Sequence, residues 1–213
     1  MPANATLLRL LDRGPVLPVV IVETPEAAVG LARALAAGGI DTIEITLRTA
    51  RALDALRAVR SQVPEVHAGV GTVLTPDQLD AAHDAGAAFA VSPGAAPRLL
   101  DAAADHALPL LPGAATASEV MALMERGWRV MKFFPAAPAG GVAYLRALAA
   151  PLPEVRFCPT GGIAAADAAD YLALANVRCV GGSWLAPADA IAAGDWPRIT
   201  ALARAASRLE RRT

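Results

Sequence analysis

Apolar positions fall into short, β-branched runs that alternate with longer stretches where they recur at helical spacing. Val16–Val22 is the first run. Thr24-Pro25-Glu26 then reads as a helix start, with Thr24 as N-cap and Pro25 in the first turn, and Gly38-Gly39 closes that helix. The same unit repeats along the chain. Further strands are predicted at Ile40–Thr46, Val66–Val73, Ala88–Ser92, Pro109–Leu111, Arg129–Phe134, Val155–Pro159 and Val177–Val180. The helices between them are predicted at Thr49–Ser61, from a cap at Thr75, through Asp105, from a cap at Thr116 or Ser118, from about Val142 and at Ala164–Ala173. A long C-terminal helix is expected from about Pro187. A short amphipathic helix, Asn4–Arg13, precedes the first strand and gathers Leu7, Leu8, Leu10 and Leu11 on one side.

Alternating strands and helices imply a parallel sheet covered by helices. Eight such units in one unbroken chain of 213 residues predict a closed (β/α)8 TIM barrel, one domain over 1–213, with the short helix at its N-terminus. A doubly wound open sheet is the alternative. It would be expected to carry GxGxxG after the first strand, where Glu23-Thr24-Pro25 stands instead.

In a barrel the chemistry sits at the C-terminal ends of the strands, so the polar residues there are the candidates. Side chains two apart on a strand share a face. In the second strand Ile43, Ile45 and Leu47 suit the helix-facing side, which turns Thr42, Glu44, Thr46 and Arg48 inward. A carboxylate there is costly unless it is paired or functional, so Glu44 is read as catalytic or as half of a structural ion pair. The same alternation puts Val70 and Thr72 on one face of the third strand. Lys132 is the only lysine in the chain and lies in the apolar run Val130-Met131-Lys132-Phe133-Phe134. Burial disfavours an ammonium and favours the neutral, nucleophilic amine that a Schiff-base lysine needs. The bland alternative is a strand-end lysine whose ammonium snorkels to the surface. Thr160-Gly161-Gly162 and Gly181-Gly182-Ser183 follow the last two strands, where backbone N–H groups hold phosphate in this fold.

Composition narrows the partners. A hydrophobic fraction of 55% excludes a disordered chain, and a net charge of −1 gives no attraction to nucleic acid or an anionic membrane. The arginines are spread out, with only an Arg211-Arg212 pair at the end. Met1 to Arg13 has no signal-peptide core, and no apolar stretch reaches the ~18–20 residues of a membrane helix, so a cytoplasmic protein is expected. Cys158 and Cys179 read as small apolar fillers of buried strands. His67, His83 and His106 are not spaced as ligands, so neither metal nor cofactor is expected.

Two stretches resemble one family closely. Gly39-Ile40-Asp41-Thr42-Ile43-Glu44-Ile45-Thr46-Leu47-Arg48 and Gly127-Trp128-Arg129-Val130-Met131-Lys132-Phe133-Phe134-Pro135-Ala136 are similar to the signatures of the class I aldolases for 2-keto-3-deoxy-6-phosphogluconate and 4-hydroxy-2-oxoglutarate. Gly71-Thr72-Val73-Leu74, Val91-Ser92-Pro93-Gly94 and Leu111-Pro112-Gly113 look like the same family. The resemblance implies a metal-free Schiff-base mechanism on a (β/α)8 barrel, usually a homotrimer, acting on a small keto acid or phosphosugar acid. It implies Lys132 as the imine-forming residue and Glu44 as general acid/base. It implies Arg48 and Thr72 as the carboxylate clamp and Pro93 and Phe134 as walls of the pyruvyl pocket. Thr160, Gly161, Gly162 and Ser183 would meet the hydroxyls and phosphate. The galactonate epimer and 4-hydroxy-2-oxoglutarate remain open as substrates. A non-catalytic phosphosugar-binding barrel and a phosphosugar isomerase or epimerase stand as rivals from other classes.

Overall fold

The computed structural model describes residues 2–211, so Arg212 of the terminal arginine pair lies outside the described residues. The fold is α/β, with helices covering parallel strands. Six strands form one sheet in the order β5 (Leu110–Leu111), β4 (Ala90–Val91), β3 (His67–Gly71), β2 (Thr42–Thr46), β1 (Val16–Val20) and β9 (Val180–Gly182). Three form a second: β6 (Gly113–Ala114), β7 (Val130–Phe133) and β8 (Arg156–Pro159). Every pairing is parallel, and single bridges from Phe157 to Val177 and from Thr160 to Gly181 link β8 to the segment of β9.

The connecting helices are α2 (Pro25–Ala37), α3 (Ala52–Gln62), α4 (Pro76–Asp84), α5 (Pro97–Ala103), α6 (Ala117–Glu125), α7 (Gly141–Ala149) and α8 (Ala168–Leu172). Thr24, Thr75 and Thr116 cap three of them, accepting from the N–H of Ala27, Gln78 and Glu119. Of the two caps considered for α6, Thr116 holds the place: its backbone N–H donates to the Glu119 carboxylate while its hydroxyl accepts from Glu119 N–H. Each such cap contributes ~1 kcal/mol to its helix.

Strand alternation sorts the core into two layers. Outward side chains such as Ile43, Ile45, Val70, Met131, Phe133 and Phe157 pack against the helices. Inward ones, Leu17, Phe89, Val91, Leu111, Val130, Cys158 and Cys179, make a separate apolar floor. Leu7 and Leu11 of α1 (Pro2–Leu11) join that floor from below. Asn4 pins this helix, donating to Gly127 O and accepting from Arg129 N–H.

Three expectations are corrected. The strand predicted at Val177–Val180 lies later, at Val180–Gly182, because Val16–Pro18 pairs with those residues while Val177 only bridges to Phe157. Gly181 and Gly182 are therefore strand residues. The long C-terminal helix is two, α9 (Ala188–Ala193) and α10 (Trp196–Ser207), broken where Gly194 takes a left-handed conformation (φ 65°). Val70 and Thr72 do not share a face. Val70 packs outward, β3 ends at Gly71, and Thr72 has φ 63°, which turns it into the cavity described below. No described helix is long and apolar enough to cross a membrane.

Candidate active site

The strands end in a cavity of about 450 Å³ at their C-terminal side, within the usual range for small-molecule sites. Its centre is an ion pair. Lys132 Nζ, from the middle of β7, donates to Glu44 Oε1 of β2 at 3.2 Å. Both side chains are almost wholly buried, at 7% and 1% exposure. The lysine therefore does not snorkel to the surface. Glu44 Oε2 is buried without a partner among the described residues. Breaking such a pair by removing one member costs ~3–5 kcal/mol, and a buried pair is seldom kept for stability alone. The Phe134 ring lies 5.3 Å from Nζ, giving the cation a second neighbour.

The rest of the wall contains most of the residues that the sequence put forward. Arg48, Thr72, Pro93, Phe134, Thr160, Gly161 and Ser183 all line the cavity together with Lys132 and Glu44. Arg48 and Ser183 are exposed at the rim, whereas Thr160 is buried and hydrogen-bonds back to Cys158 O. Gly162 does not line the cavity. Its left-handed backbone (φ 75°) passes close to Ala137, where a Cβ would approach within 2.9 Å. Thr46 also lines the wall, held by its hydroxyl to Val20 O at 3.0 Å.

Sequence reasoning missed six apolar residues of the wall: Val19, Ile21, Ala186, Pro187, Ala188 and Ile191. Ile21 is 46% exposed, although it belongs to a run that reads as buried strand. The signal was the length of that run, which continues two residues past the end of β1. Among the described residues, no group of three or more His, Cys, Asp or Glu side chains is placed to hold a metal ion.

A buried lysine that can pass its proton to an adjoining carboxylate, one of whose oxygens has no other partner among the described residues, can add to a carbonyl and move protons about the adduct. Comparisons with known proteins point the same way. The family model "KDPG and KHG aldolase" matches residues 8–202. The KHG/KDPG aldolase of Escherichia coli K12 is 54% identical over 197 residues, covering 92% of each chain. The 2-dehydro-3-deoxy-phosphogluconate aldolase of Dickeya dadantii is 52% identical over 198 residues, covering 93% of each. Among solved structures, the KDPG aldolase of Legionella pneumophila, with pyruvate captured at low pH as a covalent carbinolamine intermediate, superposes with a TM-score of 0.92 at 45% identity, covering 94% of this chain and 97% of that one.

Proposed function

The chain belongs to the KDPG and KHG aldolase family, and on that premise we propose that it is a Schiff-base aldolase cleaving 2-keto-3-deoxy-6-phosphogluconate to pyruvate and glyceraldehyde 3-phosphate. The observation that carries the proposal is the buried Lys132–Glu44 pair at the floor of an open cavity.

In this reading Glu44 takes a proton from the Lys132 ammonium, and the freed amine adds to the C2 carbonyl of the keto acid. Glu44 delivers a proton to the carbinolamine hydroxyl, water leaves, and an iminium forms. The carboxylate then takes the C4 hydroxyl proton as the C3–C4 bond breaks. Its electron pair flows into the iminium, leaving an enamine and the free aldehyde. Protonation at C3 and hydrolysis return pyruvate and the amine. Lone pairs on Oε2, which no described group occupies, suit this shuttle. Lys132 itself provides the electron sink, so the mechanism calls for no metal and no cofactor. Arg48, exposed and lining the same cavity as Thr72, suits a two-pronged hold on the substrate carboxylate. Pro93 and Phe134 border the pyruvyl carbons. Thr160, Gly161 and Ser183 face the longer half of the substrate. Gly162 is assigned the same end, through the shape of its turn.

The finer architecture follows the same reading. We take the two sheets as one closed (β/α)8 barrel over a single domain spanning 1–213. Support comes from β5 and β6, which flank Pro112 and pair with β4 and β7, and from the two bridges between β8 and the β9 segment. A cytoplasmic homotrimer is the assembly the family resemblance favours. Light scattering giving three times the 21.8 kDa chain mass tests it. A second reading, 4-hydroxy-2-oxoglutarate as a further substrate, is favoured by the double name of the E. coli relative. Comparing kcat/KM for the two substrates and for the galactonate epimer decides between them. A barrel that only binds phosphosugars would cleave none of them.

A further inference from the structure

Gly71 is unexplained by backbone conformation, since its φ is not left-handed and β3 is regular through it. Its explanation is space. A methyl group there would lie 2.7 Å from Glu44 Cγ and Cδ and would overlap Oε1. Real Cβ atoms essentially never show contacts under 3.0 Å. The register gives the reason. Glu44 is paired across the β2–β3 ladder with Gly69 and Thr46 with Gly71. The Glu44 side chain therefore leans up the strand, two residues toward the cavity mouth, and lays its carboxylate over the Gly71 Cα. From that position Oε1 meets Lys132 Nζ at 3.2 Å.

We propose that Gly71 is a positioning residue for the lysine chemistry: its missing side chain is the slot that holds the Glu44 carboxylate against Lys132. The proposal rests on the Schiff-base reading above for its kinetic consequence, while the slot itself is a matter of packing. To reach ordinary van der Waals contact at 3.4 Å or more, the carboxylate would have to shift by roughly an ångström, a displacement that can cost about 10²-fold in rate. Gly69 is the internal contrast. It lies on the same face of β3, but the atoms nearest to a methyl there belong to the Phe89 ring.

A double-mutant cycle tests the slot with Gly71→Ala, Glu44→Ala, the double variant and wild type, and Gly69→Ala as packing control. The readouts are the rate of pyruvate trapping on Lys132 by cyanoborohydride, followed by peptide mass, and the melting temperature. With Glu44 present, Gly71→Ala should slow trapping by about 10²-fold. In the Glu44→Ala background the same change should alter the rate by no more than about twofold, the ordinary error of additivity. The melting temperature should follow the same pattern, Gly71→Ala lowering it clearly when Glu44 is present and changing it little in the Glu44→Ala background. Gly69→Ala should lower the melting temperature equally in both backgrounds. Equal effects of Gly71→Ala with and without Glu44, on rate and on melting, would overturn the proposal. A wild type that traps no pyruvate would instead overturn the Schiff-base reading, and the melting cycle would still decide the slot.

Discussion

Replacing Glu44 by Gln separates the proton shuttle from the shape that carries it. The amide is nearly isosteric, so the slot over Gly71 stays filled and Oε1 still accepts from Lys132 Nζ near 3.2 Å. What is lost is the ability to take and return a proton. General acid/base groups typically contribute ~10²–10⁴ in rate, which is roughly 2.7–5.4 kcal/mol of barrier. The substitution also removes the counter-charge of a buried cation. The bound on that stability loss is ~3–5 kcal/mol, and the retained hydrogen bond should keep the real loss below it. The variant should therefore fold, melt lower and turn over ~10²–10⁴-fold more slowly, with KM changed little. Pyruvate release can be followed by NADH oxidation through lactate dehydrogenase. Deuterium exchange at the pyruvate methyl, read by NMR, reports enamine formation alone and should fall in parallel. Turnover within about threefold of wild type, far outside the range for a lost acid/base group, would refute the reasoning. Glu44 would then be a structural partner of Lys132 and another group or a water would carry the proton.

Other expectations concern the rest of the molecule. Ser183→Asp places a carboxylate at the exposed rim of the distal end and should erode the preference for phosphorylated substrate in kcat/KM, leaving pyruvate trapping intact; an unchanged preference would mean that phosphate binds elsewhere. Incubation with EDTA should leave aldol cleavage unchanged, and activity restored by Mg²⁺ or Mn²⁺ after chelation would move the protein to a metal-dependent class. Cys179 hydrogen-bonds to Cys158 at 3.4 Å, and that bond together with complete burial pushes its thiol well above the ordinary range. Neither thiol should react with Ellman's reagent at pH 8 in the native state, and both should react in denaturant; fast native labelling would contradict the packing of the floor. The raised Cys179 thiol contributes stability below the unfolded thiol pKa, and that stability is lost as pH rises through the folded one.

Much of this was legible because strand periodicity and chemistry coincide. The two-residue alternation put Glu44, Thr46 and Arg48 on one face, and all three line the cavity. A lone lysine among Val130, Met131 and Phe133 was legible for the same reason, since nothing but a partner or a task explains a cation there. Thr72 marks the limit of the method. Alternation fails at a residue with φ 63°, and no neighbouring sequence signal announces that a β-branched side chain will adopt it. The glycines mark another. Gly161-Gly162 and Gly181-Gly182 look alike as dipeptides, yet the first pair is left-handed and the second lies in a strand against Thr160 and Trp184. Which side chain a glycine makes room for is a property of the neighbouring strand's register, and one chain segment does not carry it.

Lys132 should form a covalent imine with a keto acid, which reduction would make permanent. Pyruvate with borohydride should inactivate the protein and add the mass of one reduced pyruvyl group to the peptide that contains Lys132. Because the chain has no other lysine, only the α-amino group competes, and peptide mapping separates the two. Aldol cleavage that survives the treatment, with no adduct on Lys132, would contradict imine formation and require a different mechanism of cleavage.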